Sequence, residues 1–201
     1  MKTLRLAALA LTATVVATPV LAQTAAEAPP PAQTRMVDYL VNAPHVQNWF
    51  TWGLEPAPTP QAVQGVTGNQ ALTFRIVRAG DPWAVGAVMT NPAPIQAGDI
   101  ILAAVWVRTD AASPVTLPLL MVEGQTEPKA VIARSTDVAI GPEWTLVYAS
   151  GTAPADFAPG QTSIILQMGR DAQTLQLGPG MLFDMGPDYD PARLPSNPSG
   201  R

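Results

Sequence analysis

Four side chains in this 201-residue chain have types and spacings suited to holding a sugar: Trp83, Trp106, Arg108 and Gln167. An indole face stacks on the apolar C–H face of a sugar ring, and a guanidinium or carboxamide beside it supplies planar hydrogen bonds to hydroxyls. Trp106 and Arg108 stand two residues apart, so on a strand they project to one side. Each of these residues also has a structural reading. Trp106 can be sandwich core, Arg108 can satisfy a strand-end carbonyl, and Trp83, following Pro82, can mark a strand entrance. Trp144, in GPEWTLVY, reads as packing. Trp49 and Trp52 fall in an irregular segment, where they could cap a core or line a sandwich edge.

Catalytic chemistry finds less support, and a non-enzyme is expected. His45 is the only histidine and there is no cysteine, which excludes zinc sites built from His and Cys. No G-x-S-x-G elbow is present to activate a serine. Glycoside hydrolysis needs two carboxylates facing each other across a cleft. Glu123, Glu127, Asp137, Glu143 and Asp184 are available, but their spacings identify no pair. Gly178-Pro179-Gly180 has the composition of a β-turn rather than of a phosphate-binding loop.

The elements that would carry these residues are strands. Residues 71–77 (ALTFRIV) alternate Leu72, Phe74 and Ile76 against Thr73 and Arg75, the period of a strand with one buried face. Further strand-like runs cover residues 83–90, 99–109, 115–123, 129–138, 144–150, 162–169 and 173–184, bounded by Gly, Pro or Asp clusters. In the run 99–109, Ile101, Ala103, Val105 and Val107 share one face, while Leu102, Ala104, Trp106 and Arg108 share the other. Gln167 lies on the strand face opposite Ile164, Leu166 and Met168. Residues 36–41 read as a helical turn or a first strand, and residues 45–54 as an aromatic lead-in ended by a Pro-containing segment. After residue 22 no helical period persists for three turns, which disfavours parallel α/β folds. The expected fold is an all-β antiparallel sandwich of about eight or nine strands.

Bulk properties narrow the setting. Lys2 and Arg5 precede an apolar run over residues 6–21 that closes on small residues at Ala22, the pattern of a cleavable secretory signal. Residues 23–36 then read as a Pro/Ala-rich linker, 37–186 as the sandwich domain, and 187–201 as a Pro/Asp-rich tail that either packs over one sheet or hangs free. A secreted or periplasmic location follows, with no membrane span once the signal is removed. Without Lys2 and Arg5 the 11 basic residues fall to 9 against 15 acidic ones, a formal charge of −6, which argues against nucleic acid as a partner.

The order of motifs resembles the galactose-binding-like jelly-roll domains, in particular carbohydrate-binding modules of the family 4 and family 22 type. The resemblance rests on GVTGNQALTFRIV, DPWAVGAVMTNPAPIQAGDIILAAVWVRT, GPEWTLVYASGTAPADFAPGQTSIILQMG and QTLQLGPGMLFDMG. It implies two antiparallel sheets, a polysaccharide or glycan ligand on one concave face or at the loop end, and a structural Ca²⁺. Asp184 stands where the last-strand Asp of that pattern falls, so it is the metal candidate. The usual amino-terminal Asn-x-x-Phe-Glu segment is replaced by NAPHVQNWFTWGLEP, which leaves Glu55 as a guessed acidic partner. Two other roles remain open: an envelope sandwich that holds a protein partner, and a polysaccharide-active hydrolase.

Overall fold

The computed structural model describes residues 35–197. The signal reading and most of the linker fall outside the described residues. Ten strands form two five-stranded antiparallel sheets. The first contains β1 (Phe50–Trp52), β4 (Gly86–Asn91), β6 (Val115–Gly124), β7 (Val131–Ile140) and β9 (Thr162–Gln167), in the spatial order β1-β4-β9-β6-β7. The second contains β2 (Gln61–Ala62), β3 (Gln70–Ile76), β5 (Ile100–Thr109), β8 (Thr145–Thr152) and β10 (Gln173–Asp184), in the order β2-β3-β10-β5-β8. Helical structure among the described residues consists of short 3-10 turns, and no helix there is long and apolar enough to cross a membrane.

The two-residue period places the core between the sheets. Ile101, Ala103, Val105 and Val107 of β5 meet Ala87 and Met89 of β4, Leu120 and Val122 of β6, and Ile164 and Leu166 of β9 in one buried cluster. Trp49 enters this cluster from the segment before β1. Its indole packs against Gly180, and its Nε1 donates to the Gly178 carbonyl at 3.0 Å.

A second, smaller cluster lies outside the sandwich. Ile100, Leu102, Ala104, Phe183 and Met185 are covered by Tyr39 and Leu40 from the amino-terminal side and by Tyr189 and Leu194 from the tail. The tail therefore packs over the second sheet as far as it is described. It is fixed at Asn197, whose side-chain amide accepts from the Tyr148 backbone N–H at 2.8 Å and donates to the Tyr148 carbonyl at 2.7 Å. One carboxamide thus satisfies the backbone pair that a further strand would take from the edge strand β8.

Two local expectations need correction, and of the two alternatives for residues 36–41 the helical turn is the one formed. The aromatic lead-in contains the edge strand β1, and β2 follows it; at three and two residues, both are too short to show an alternation. Residues Met36–Tyr39 form a 3-10 turn. Gly178-Pro179 is a bulge inside β10 rather than a turn, with the register shifting between Leu177 and Gly180. Proline is tolerated there because a bulge asks no ladder hydrogen bond of it. Glycine is required because an added Cβ at position 178 would stand 2.8 Å from both Trp106 Cβ and Val66 Cγ2.

Candidate binding face

Inward alternation on one side of a strand leaves an outward set on the other, and in the first sheet that outward set forms rows. Phe50, Val88, Ile165, Met121 and Arg134 are successive cross-strand partners from one edge of the sheet to the other. Four inter-strand steps make this row about 19 Å long. The row is apolar until it ends in a cation. The next row is Trp52, Gly86, Gln167, Leu119 and Thr136. On the far side of the first row stand Thr90, Ser163 and Glu123.

The aromatic corner of this face is built by glycine. A Cβ on Gly86 would lie 2.2 Å from Trp52 Cζ2, so the indole occupies the space of the missing side chain. Trp52 Nε1 donates to the Trp83 carbonyl at 2.8 Å, tying the edge strand to the 3-10 turn Pro82–Ala84. Trp83 is 60% exposed and Phe50 70% exposed. Ile165 and Leu119, by contrast, are 9% and 7% exposed, yet neither belongs to a buried cluster. Among the described residues no apolar cluster covers this face as Tyr39 and Tyr189 cover the other sheet.

The polar groups are placed at the margins. Glu123 is 7% exposed and is paired with Lys129 at 3.3 Å. It is the only carboxylate in the rows described. Asp137 pairs with Arg170, and Asp184 lies in the other sheet, so the candidate carboxylates are dispersed. His45 is an exposed residue that precedes the 3-10 turn Val46–Asn48.

The four sugar-binding candidates divide between the two sheets. Gln167 lies in the second row of the first sheet, and Trp83 adjoins Trp52 at its edge. Trp106 and Arg108 share a face, as their spacing required, but that face is the outer side of the second sheet, with the core between the two pairs. Trp106 is partly buried opposite the β10 bulge. Arg108 Nε donates to Gln176 Oε1 at 2.5 Å, and its guanidinium carbon lies 4.7 Å from the Trp144 ring centre. Phe50, Met121, Ile165 and Arg134 were not singled out by sequence, whereas Trp52 takes the sandwich edge and Trp49 the core, the two places left open for them. The available signal was the aromatic content of residues 45–54.

Asp184 ends β10 next to Asp99. Burial pushes its carboxyl above the ordinary 3.8. The Gly186 N–H, which donates to Oδ1 at 2.9 Å, opposes that rise, while the charge of Asp99 and a hydrogen bond with it add to it. Asp99 in turn accepts from the Gln96 N–H at 2.7 Å. No group of three or more His, Cys, Asp or Glu side chains placed to hold a metal occurs among the described residues. Glu55 is not the acidic partner: it lines a cavity with Thr73 and Arg75, at the opposite end of β10.

No protein-family model matches the chain, and no curated protein matches it in sequence. Solved structures do match. One is the Clostridium thermocellum N-terminal endo-1,4-β-D-xylanase 10B, its CBM22-1 and GH10 modules complexed with xylohexaose, at 17% identity and a TM-score of 0.55. That match covers 74% of this chain, which spans only 29% of the xylanase structure. Another is the second N-terminal cellulose-binding domain of Cellulomonas fimi β-1,4-glucanase C, at 15% identity and a TM-score of 0.53, covering 76% of this chain and 95% of that domain. The chain has the fold of carbohydrate-binding modules, as its motif order implied.

Proposed function

We propose that the protein is an exported, non-catalytic carbohydrate-binding module whose ligand lies along the outer face of the first sheet. The observation that carries this reading is the row Phe50, Val88, Ile165, Met121 and Arg134. An apolar strip about 19 Å long suits the C–H faces of several sugar rings in succession. Gln167, Thr90 and Arg134 along its margins supply donors and acceptors for hydroxyls. The shared fold supports a β-1,4-linked polysaccharide as the first ligand to test, since the similar structures are a xylanase complexed with xylohexaose and a cellulose-binding domain. Export is supported by the signal pattern of residues 1–22.

The test is calorimetric titration of the protein with xylohexaose, cellohexaose and soluble xylan. Saturable binding to at least one is expected. Absence of binding to all three and to a broad glycan array, with capture of a protein by the same face, would replace this reading with that of an envelope protein-interaction sandwich.

A structural Ca²⁺ at Asp184 belongs to the same proposal. Asp184 and Asp99 would hold it, with backbone carbonyls and water completing the six to eight oxygens this ion takes. The ion would neutralise two carboxylates that otherwise repel. Chelator is then expected to lower the melting temperature and excess Ca²⁺ to restore it, because a ligand bound only by the native state stabilises by mass action. No shift under saturating chelator contradicts the site.

In calcium-free buffer the sign of the pH dependence is set by the raised Asp184 carboxyl. Its folded-state value exceeds the ordinary 3.8, so its contribution to stability is fully present below 3.8 and is lost as pH rises through the folded-state value. Asp184→Asn is therefore expected to gain melting temperature relative to wild type as pH rises from the acid side of that window to neutrality. Parallel melting curves across that range would count against the effect.

A further inference from the structure

The outer side of the second sheet carries cations that the protein's own acids leave alone. The chain has 15 acidic residues against 11 basic ones, and Arg35, Lys129 and Arg170 are each ion-paired. Among the described residues, neither Arg108 nor Arg75 has a carboxylate within 4.0 Å. Both project from the same face: Arg108 stands opposite Gln176, Gln176 opposite Thr73, and Arg75 lies two residues along β3 from Thr73.

Arg108 is also held in place. Its Nε bond to Gln176 and its position over Trp144 fix the plane of the guanidinium. Trp144 is fixed in turn by its Nε1, which donates to the Gln64 carbonyl at 2.9 Å. Gln176 Nε2 reaches toward Thr73 Oγ1 at 3.4 Å, linking Arg108 to the β3 side. A cation ordered in advance loses little side-chain freedom on binding, and a guanidinium fork matches a carboxylate in two parallel hydrogen bonds. Beside it, Thr73 and Arg75 line an open cavity of about 240 Å³ together with Leu54, Glu55, Pro56 and Pro58. That volume falls below the ~300 Å³ at which sites for drug-sized ligands begin, so it admits a single small ring rather than a chain. Glu55, which lines the same cavity, offers an acceptor to a hydroxyl.

We infer that this face is a second, separate ligand site, which takes a sugar unit bearing a carboxylate, a uronic acid residue of an acidic glycan, through Arg108 and Arg75. It is independent of the proposed neutral-glycan row, which lies across the core on the other sheet.

The test is titration of the full chain with hexagalacturonate and with hexamers of guluronate and glucuronate, alongside the carboxyl-reduced form of each. At least one acidic hexamer is expected to bind, and its carboxyl-reduced form to bind at least tenfold more weakly. Arg108→Gln is expected to weaken acidic binding at least tenfold while leaving any xylohexaose affinity unchanged. Arg108→Lys is expected to fall close to Arg108→Gln, because it keeps the charge but loses the planar fork. Arg75→Gln, at an exposed position, supplies a second variant should Arg108→Gln fail to fold, and is expected to weaken acidic binding as well. Failure of all three acidic hexamers to bind, equal affinity for acidic and carboxyl-reduced forms, or unchanged acidic binding in folded Arg108→Gln and Arg75→Gln proteins would each overturn the inference. Loss of the neutral-glycan reading alone would appear as absent xylohexaose binding, with these acidic titrations unaffected.

Discussion

Trp49→Ala is expected to destabilise the protein by about 3–5 kcal/mol, the range for truncating a large buried aromatic. Trp49 is 7% exposed and fills the core where β10 narrows at Gly180. The indole occupies the space that a side chain at position 180 would take, since a Cβ at Gly180 would lie 2.5 Å from it. Truncation also removes the donor to the Gly178 carbonyl, leaving an acceptor in the bulge without its partner. With no cysteine, there is no disulfide to offset the loss. Urea denaturation of the purified variant measures it, and a loss below about 1 kcal/mol would show that Trp49 is not a core anchor.

The second large effect is on binding. The double substitution Phe50→Ala, Trp52→Ala is expected to weaken polysaccharide affinity about 30-fold or more, taking ~1–3 kcal/mol for each stacked aromatic by analogy with base stacking on proteins. Phe50 is mostly exposed, so its removal costs the fold little, while Trp52 contributes packing on Gly86 as well as surface. Comparing Phe50→Ala alone with the double variant therefore separates a binding loss from loosening of β1. Undiminished affinity in both folded variants would remove the aromatic corner from the site.

Alternation and punctuation in the sequence located most of the fold. The run 173–184 coincides with β10 from end to end, and the separation of Val105 from Trp106 onto opposite faces of β5 holds because strand period is a local property. What stayed hidden is non-local. Gln167 and Arg108 each sit on an outward face, but nothing in either strand says which sheet it joins. That follows from β9 pairing with β4 and β6, and β5 with β8 and β10. Ile164, Ile165 and Leu166 form an unbroken apolar run, so Ile165 could not be told from core by pattern. The choice between core cap and sandwich edge stayed open for Trp52 because its face depends on a glycine 34 positions later in the chain, at Gly86.

A map of backbone amide shifts during xylohexaose titration of isotope-labelled protein shows which sheet the ligand lies across. Shifts are expected to concentrate on Phe50, Trp52, Val88, Ile165, Gln167, Met121 and Arg134, with the amides around Tyr39 and Tyr189 unmoved. Shifts confined to the second sheet around Trp106, Arg108 and Trp144, or no shifts at saturating ligand, would contradict binding across the first sheet.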